Sequence, residues 1–282
     1  MSTPAEVATA GQLACLLEVS APKPGNVSPG RHFHDTRFED FLASAVAIGP
    51  ALAGAGDHPL GETILAAVEA TARWTRSNTN LGIILLLAPL ARAALRNEEA
   101  LPHALRETLA ATTVADAAQV YAAIRRMRPG GLGAAAAEDV AAAPTVTLRD
   151  AMALAAERDS VAREYASGFE ITFGTGAPAL RRARTAGLDW SDAVVETYLQ
   201  LLAAVPDTHI ARKLGQPAAA DVSDRAREVI QAGGVRTDAG RRALAAFDAE
   251  LRDPTNSHNP GTTADLSCAA LFVVILEDCR NR

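Results

Sequence analysis

The sequence predicts an all-α protein, a single compact multi-helix domain, and three observations carry that reading. Apolar residues recur with the 3.6-residue period over most of the 282 positions. Alanine, the best helix former, is abundant, whereas aromatic residues make up only 4%. No stretch alternates polar and apolar residues for long enough to specify a strand.

Each element follows from local chemistry. Val7, Leu13, Leu16 and Leu17 mark a first amphipathic helix, which the Pro22-Lys23-Pro24-Gly25 turn must end because proline lacks an amide donor. Helical patterning resumes over Phe38–Ala53, breaks at Gly54–Pro59, and returns over Leu60–Trp74. Asn78-Thr79-Asn80 can cap the very apolar helix Leu81–Leu95, which Pro89 is expected to kink or divide. Further helices are predicted over Leu101–Ala111, Val114–Met127, Leu148–Phe173, Ser191–Ala204, Ser223–Gln231, Asp238–Leu251 and Thr262–Leu276. A long internal loop at 128–147 opens with Arg128-Pro129-Gly130-Gly131-Leu132-Gly133. Both of its flanks keep the same helical style, so it is placed inside one domain spanning 1–282.

Bulk properties narrow the function. A net charge of -6 gives no general attraction for nucleic acid, although a local basic pocket for a phosphorylated small molecule remains compatible with it. Cys15, Cys268 and Cys279 have no CxxC spacing and lie in or beside apolar runs, so they read as buried thiols in a reducing compartment. The N-terminus lacks a basic, then apolar leader, and Leu81–Leu95 and Leu266–Leu276 are too short to span a bilayer. The expectation is a cytoplasmic protein with no membrane partner, for which a homo-oligomer is compatible.

Polar and glycine-rich residues gather at helix ends in five places. Each has an ordinary structural explanation beside a chemical one. Lys23 in its Pro-Gly turn is either part of a solvated loop or a phosphate-facing charge, with His34 and Asp35 downstream able to bind metal or move a proton. Asn78 and Asn80 are caps or part of an anion site at a helix N-terminus. Asp159 and Arg163, one helical turn apart, form a surface ion pair or a charged face turned to a phosphorylated substrate. Asp207 caps a helix presenting His209 and Arg212, a set that also suits a magnesium-bound triphosphate. Gly233-Gly234-Val235-Arg236-Thr237 and Asn259-Pro260-Gly261-Thr262-Thr263-Ala264-Asp265 are helix boundaries or further site segments. There is no Walker loop, Rossmann fingerprint or HExxH.

Taken in order, these segments resemble the triphosphoribosyl-dephospho-CoA synthase family. The resemblance rests on Pro22-Lys23-Pro24-Gly25-x-Val27, Asp35, Glu39-Asp40-Phe41, Asn78-Thr79-x-x-Gly82, Asp159-x-x-Ala162-x-Glu164-Tyr165-x-x-Gly168-Phe169 and Asp207-Thr208. It continues through Gly233-Gly234-Val235-Arg236-Thr237, Phe247-Asp248 and Pro260-Gly261-x-x-Ala264-Asp265, so it spans roughly residues 10–278. Asn80 and Leu81 stand where the family pattern has histidine and lysine, and His32 and His34 are out of register with a third family histidine.

The resemblance implies an all-α transferase that moves a 5-triphosphoribosyl group from ATP to a hydroxyl of 3′-dephospho-CoA and releases adenine. A ribosyl-phosphate transfer in another coenzyme pathway, such as a pterin coenzyme, and a non-catalytic helical nucleotide-binding protein are the alternatives. Breaking a ribosyl–base bond builds positive charge on the sugar, so a carboxylate, a proton donor and magnesium on the triphosphate are required. The candidates are Asp35, Asp207 and Asp265 for Mg2+ or the sugar cation, with His34 or His209 for the proton. Lys23, Asn78, Asn80, Glu164, Arg212, Arg236 and Asn259 are the candidates for binding ATP and the small-molecule acceptor.

Overall fold

The computed structural model describes residues 2–96, 100–130, 133, 135 and 137–280. It is helical throughout; among the described residues the sole β-type pairing is an isolated bridge between Ser28 and Arg31. The helices are α1 (Pro4–Ser20), α2 (Phe38–Ala47), α3 (Gly49–Ala53), α4 (Leu60–Thr71), α5 (Leu81–Arg96), α6 (Leu101–Ala110), α7 (Val114–Met127) and α8 (Leu148–Ala155). They continue with α9 (Ser160–Ser167), α10 (Ala177–Thr185), α11 (Trp190–Ala204), α12 (Thr208–Leu214), α13 (Gln216–Gln231), α14 (Asp238–Glu250) and α15 (Gly261–Arg280).

One contiguous cluster of buried side chains runs through these helices. α15 lies at its centre and packs on α1, α5, α10 and α11. Its contacts with α1 fix an antiparallel register: Cys15 Sγ meets Cys268 Sγ at 3.7 Å, and Arg280 Nε donates to Ser2 Oγ at 3.0 Å. Cys15 and Cys268 are buried free thiols, as expected, while Cys279 is half-buried.

Several boundaries differ from those predicted, each for a local reason. Phe38–Ala53 is two helices, because Pro50 cannot donate an amide and the chain restarts at Gly49. Gly49 also lets α1 approach closely, since a Cβ there would fall 2.4 Å from Gln12 Nε2. Leu148–Phe173 is broken at Asp159, whose extended backbone lets its carboxylate cap α9 through the amides of Val161 and Ala162. Asp159 therefore does not pair with Arg163, which lies near Glu170. After α9 the chain makes a π-turn over Thr172–Gly176 and enters α10, a helix the apolar pattern does not reveal.

Pro89 neither ends nor divides α5. Its missing N–H would have bonded the Leu85 carbonyl, and the Tyr165 hydroxyl donates to that carbonyl instead at 2.6 Å. The described residues of the 128–147 loop form turns and bends without a helix, and Gly131 and Leu132 of the expected glycine-rich opening lie outside the described residues. The stretch Phe38–Gly56 is long and apolar enough, by length and composition, to cross a membrane, and only 33% of it is buried.

Candidate active site

Helices α5, α7, α8 and α9, with the N-termini of α12 and α15, enclose a cavity of about 240 Å³. Leu85, Val120, Ile124, Leu148, Met152 and Val161 make one end apolar. The other end presents Asn78, Asp159, His209, Arg212, Thr262 and Asp265, with Arg158 also in the wall.

Local folding puts each polar group there. Asn78 Oδ1 accepts the Leu81 amide at 3.1 Å and so begins α5 at the cavity rim. Gly82 follows, and its lack of a side chain makes room for Asp265: a Cβ would lie 2.0 Å from Asp265 Oδ2. Arg212 reaches across from α12 to Asp159 as an ion pair, and its Nη2 lies 3.4 Å from His209 Nδ1. Arg212 Nε is buried with no partner among the described residues. Asn259 leads into α15 beside His209, and its buried Oδ1 is also without a partner among the described residues.

Electrostatics single out Asp265. Among the described residues no donor bonds its half-buried carboxylate. Burial raises its pKa well above the usual aspartate value, reinforced by repulsion from Glu18, Asp207 and Asp159 and opposed by Arg212. Burial and these neighbours favour its protonated form, and a cation in the cavity favours the carboxylate. His209 has the opposite character. Burial lowers its pKa to about 3, with the Lys213 and Arg212 charges adding to the effect, so its imidazole is neutral at pH 7. In its neutral form it can exchange hydrogen bonds with a substrate.

Of the proposed catalytic and binding residues, Asn78, His209, Arg212 and Asp265 line the cavity, with Gly82, Asp159 and Thr262 of the same motifs, and Asn259 adjoins it. The others are elsewhere, for identifiable reasons. Lys23 is 1% exposed, and its ammonium meets the Glu18 carboxylate at 2.9 Å, the Ala21 carbonyl at 3.2 Å and the Glu18 carbonyl. An ammonium has three donors, so none is left for a phosphate. Its Pro-Gly turn is riveted to the fold: Tyr198 donates to the Pro24 carbonyl, and Asp248 accepts from the Gly25 amide, both at 2.9 Å.

Asp207 has all four acceptor sites occupied. Oδ1 takes the His209 and Ile210 amides, and Oδ2 takes the Thr263 amide and hydroxyl, at 2.7–3.1 Å. It clamps α12 to α15 and has no lone pair free for a metal. Glu164, fully buried, binds the Ile171 amide and the Thr172 amide and hydroxyl, which shapes the π-turn. Asn80 is buried against the Thr71 hydroxyl, outside the cavity. His34 and Asp35 sit in an exposed loop: His34 bonds Asn256, and Asp35 acts electrostatically on Lys213. Arg236 lies beside Glu196, away from the cavity. Asp35, Asp207 and Asp265 therefore do not form one metal site, and among the described residues no three His, Cys, Asp or Glu side chains do.

Sequence reasoning also missed cavity residues. Tyr121 and Asp139 line it, and the Tyr121 hydroxyl donates to the Glu138 carbonyl at 2.9 Å.

An all-α fold with a part-apolar, part-charged cavity at the meeting point of helix ends defines a small-molecule-binding helical protein. The family described as CitG, ATP:dephospho-CoA triphosphoribosyl transferase, matches residues 4–282, and the chain belongs to that family. A curated Azotobacter vinelandii relative, assigned as a 2-(5''-triphosphoribosyl)-3'-dephosphocoenzyme-A synthase, is 38% identical over 117 residues. That match takes in 41% of this chain and 39% of the relative. A Pseudomonas putida relative with the same assignment is 38% identical over 113 residues, 40% of each protein. These alignments thus reach about two fifths of the relatives' length. A crystal structure described as a candidate triphosphoribosyl-dephospho-CoA synthase from Archaeoglobus fulgidus superimposes with a TM-score of 0.65 at 28% identity. It covers 84% of this chain and 98% of its own.

Proposed function

We propose that this protein transfers the 5-triphosphoribosyl group of ATP to a hydroxyl of 3′-dephospho-CoA, releasing adenine. Family membership supports the reaction class, and the unbonded Asp265 carboxylate in the cavity is the observation that carries the site. The bond between ribose and adenine breaks with positive charge developing on the sugar, which an adjacent carboxylate stabilises. Asp265 supplies it from near the N-terminus of α15. Asp159 holds Arg212 at the same end of the cavity, where a guanidinium offsets polyphosphate charge. Neutral His209 and Asn78 hold substrate oxygens or nitrogens by hydrogen bonds, and the apolar walls exclude water from the reacting sugar.

The donor set fits magnesium arriving with the triphosphate. Mg2+ is usually held by one or two carboxylates plus substrate phosphates and not by an all-protein cage. Asp265 is a hard oxygen ligand that no donor among the described residues occupies; bound there, the ion would offset the charge of the triphosphate that travels with the ribose.

The test is adenine release from Mg2+-ATP with and without 3′-dephospho-CoA, with mass spectrometry of the acceptor. Acceptor-dependent adenine release with a triphosphoribosylated product is the expected result. Absence of both at millimolar substrates would exclude this reading.

A further inference from the structure

α2, α3 and α4 leave an open groove on the face away from the cavity just described, bordered by Val46, Ala51, Gly54, Ala66, Ala70 and Trp74. Its two large side chains are unusually open: Val46 is 60% exposed and Trp74 is 71% exposed. The stretch behind it, Phe38–Gly56, is apolar but only 33% buried, so this chain alone does not cover its own apolar surface.

The groove has two unlike ends. One carries the Val46 and Trp74 projections. The other is bordered by Gly54 and His58, whose ring lies against Gly54. Charge follows the same polarity along α4. Glu62 stands at the His58 end, 55% exposed, with His58 Nδ1 at 3.9 Å. Arg73 stands at the Trp74 end, about 16 Å away by helical rise, exposed and without an ion-pair partner among the described residues.

We infer that this face binds a second copy of the chain through a two-fold axis near Ala66 and Ala70. An antiparallel crossing of two α4 helices brings each Trp74 toward the partner's His58 end and each Arg73 to the partner's Glu62. A two-fold contact requires one patch to be complementary to itself, and an apolar surface bearing an anion at one end and a cation at the other meets that condition. Alanine at 66 and 70, one turn apart, lets the two helices approach closely. A lipid surface would meet no such matched pair of ends, and the groove is concave and rimmed by charge.

Sedimentation velocity on the full chain tests this directly. The expected result is a dimer at micromolar concentration, converted to monomer by Ala66→Arg with an unchanged melting midpoint. Glu62→Arg and Arg73→Glu should each weaken dimerisation by about tenfold, because two symmetric pairs become repulsive together. The double reversal should restore it, a result that only a direct Glu62–Arg73 contact between copies gives. A monomer at all concentrations, a dimer that Ala66→Arg leaves intact, or additive losses in the double variant would overturn the inference. So would monomeric protein that binds phospholipid vesicles through this face.

Discussion

Gly82 and Asp265 occupy one another's space: a methyl group on Gly82 would stand 2.0 Å from Asp265 Oδ2. The glycine in the first turn of α5 is thus what lets the α15 carboxylate face the cavity. Gly82→Ala should displace that carboxylate and lower turnover by roughly 10²–10³, the scale of losing one transition-state contact. Stability should change little. The clash is with a side chain that can rotate, and alanine gains up to about 1 kcal/mol over glycine within a helix. Adenine release beside a melting curve checks it; near-normal turnover would mean that Asp265 acts from another rotamer or not at all.

The three aspartates should separate. Asp265→Asn should lose turnover with folding intact. Asp207→Asn should instead lose stability, by about 1–3 kcal/mol, because an amide presents donors where the Asp207 oxygens now accept four bonds. Asp35→Asn, on the exposed loop, should leave the melting midpoint unchanged. Denaturation and activity of all three variants together decide the matter. Equal loss of turnover without loss of stability in all three would restore the shared-site idea that the structure contradicts.

Asp265 and His209 set opposite pH dependences. A carboxyl whose folded pKa is raised stays protonated in the native state while its unfolded counterpart ionises. Its stability contribution is therefore full below the ordinary aspartate pKa and is lost as pH rises toward the folded value. Asp265→Asn should consequently raise the melting midpoint of the ligand-free protein at pH 7. His209, with a pKa lowered to about 3, stays neutral when folded but binds a proton when unfolded below about pH 6.5. Its native form loses stability as pH falls from there toward 3, and His209→Gln should flatten that acid limb. Mg2+-ATP should also release a proton from Asp265, seen as a buffer-dependent binding enthalpy in calorimetry. A binding enthalpy independent of buffer would remove Asp265 from the cation site.

How much was legible in the sequence depends on the range of the interaction. Caps are local, and Asp207 and Thr237 cap the helices that follow them, as their positions announce. The helical class followed from periodicity for the same reason. What the sequence could not show was where a polar side chain's partners lie. Lys23 and Asp207 fall in the most suggestive motifs, yet burial and long-range partners commit them to the fold: Asp207 meets Thr263 across the α12–α15 junction, and Lys23 turns inward to Glu18. Asp159 was expected to meet Arg163 one turn away, but helix breakage at Asp159 sends its carboxylate to Arg212 on another helix. Asp265 was legible as a candidate because it opens a buried helix; that Gly82 makes room for it was not.

The last prediction concerns Pro89 and Tyr165. A proline within a helix leaves the carbonyl four residues earlier without its amide donor. In α5 that carbonyl belongs to Leu85, and the fully buried Tyr165 hydroxyl donates to it at 2.6 Å. Tyr165→Phe keeps the ring and removes the donor, so it leaves a buried carbonyl unsatisfied at a cost of about 1–3 kcal/mol. Pro89→Ala restores a backbone donor at the same acceptor. In that background Tyr165→Phe should cost much less, because the restored amide now meets the Leu85 carbonyl. The two changes should be non-additive by about 1 kcal/mol or more, readable as the coupling in a double-mutant cycle from urea denaturation. Strict additivity would show that the Tyr165 hydroxyl does not substitute for the missing amide. The tolerance of α5 for proline would then have to come from helix bending alone.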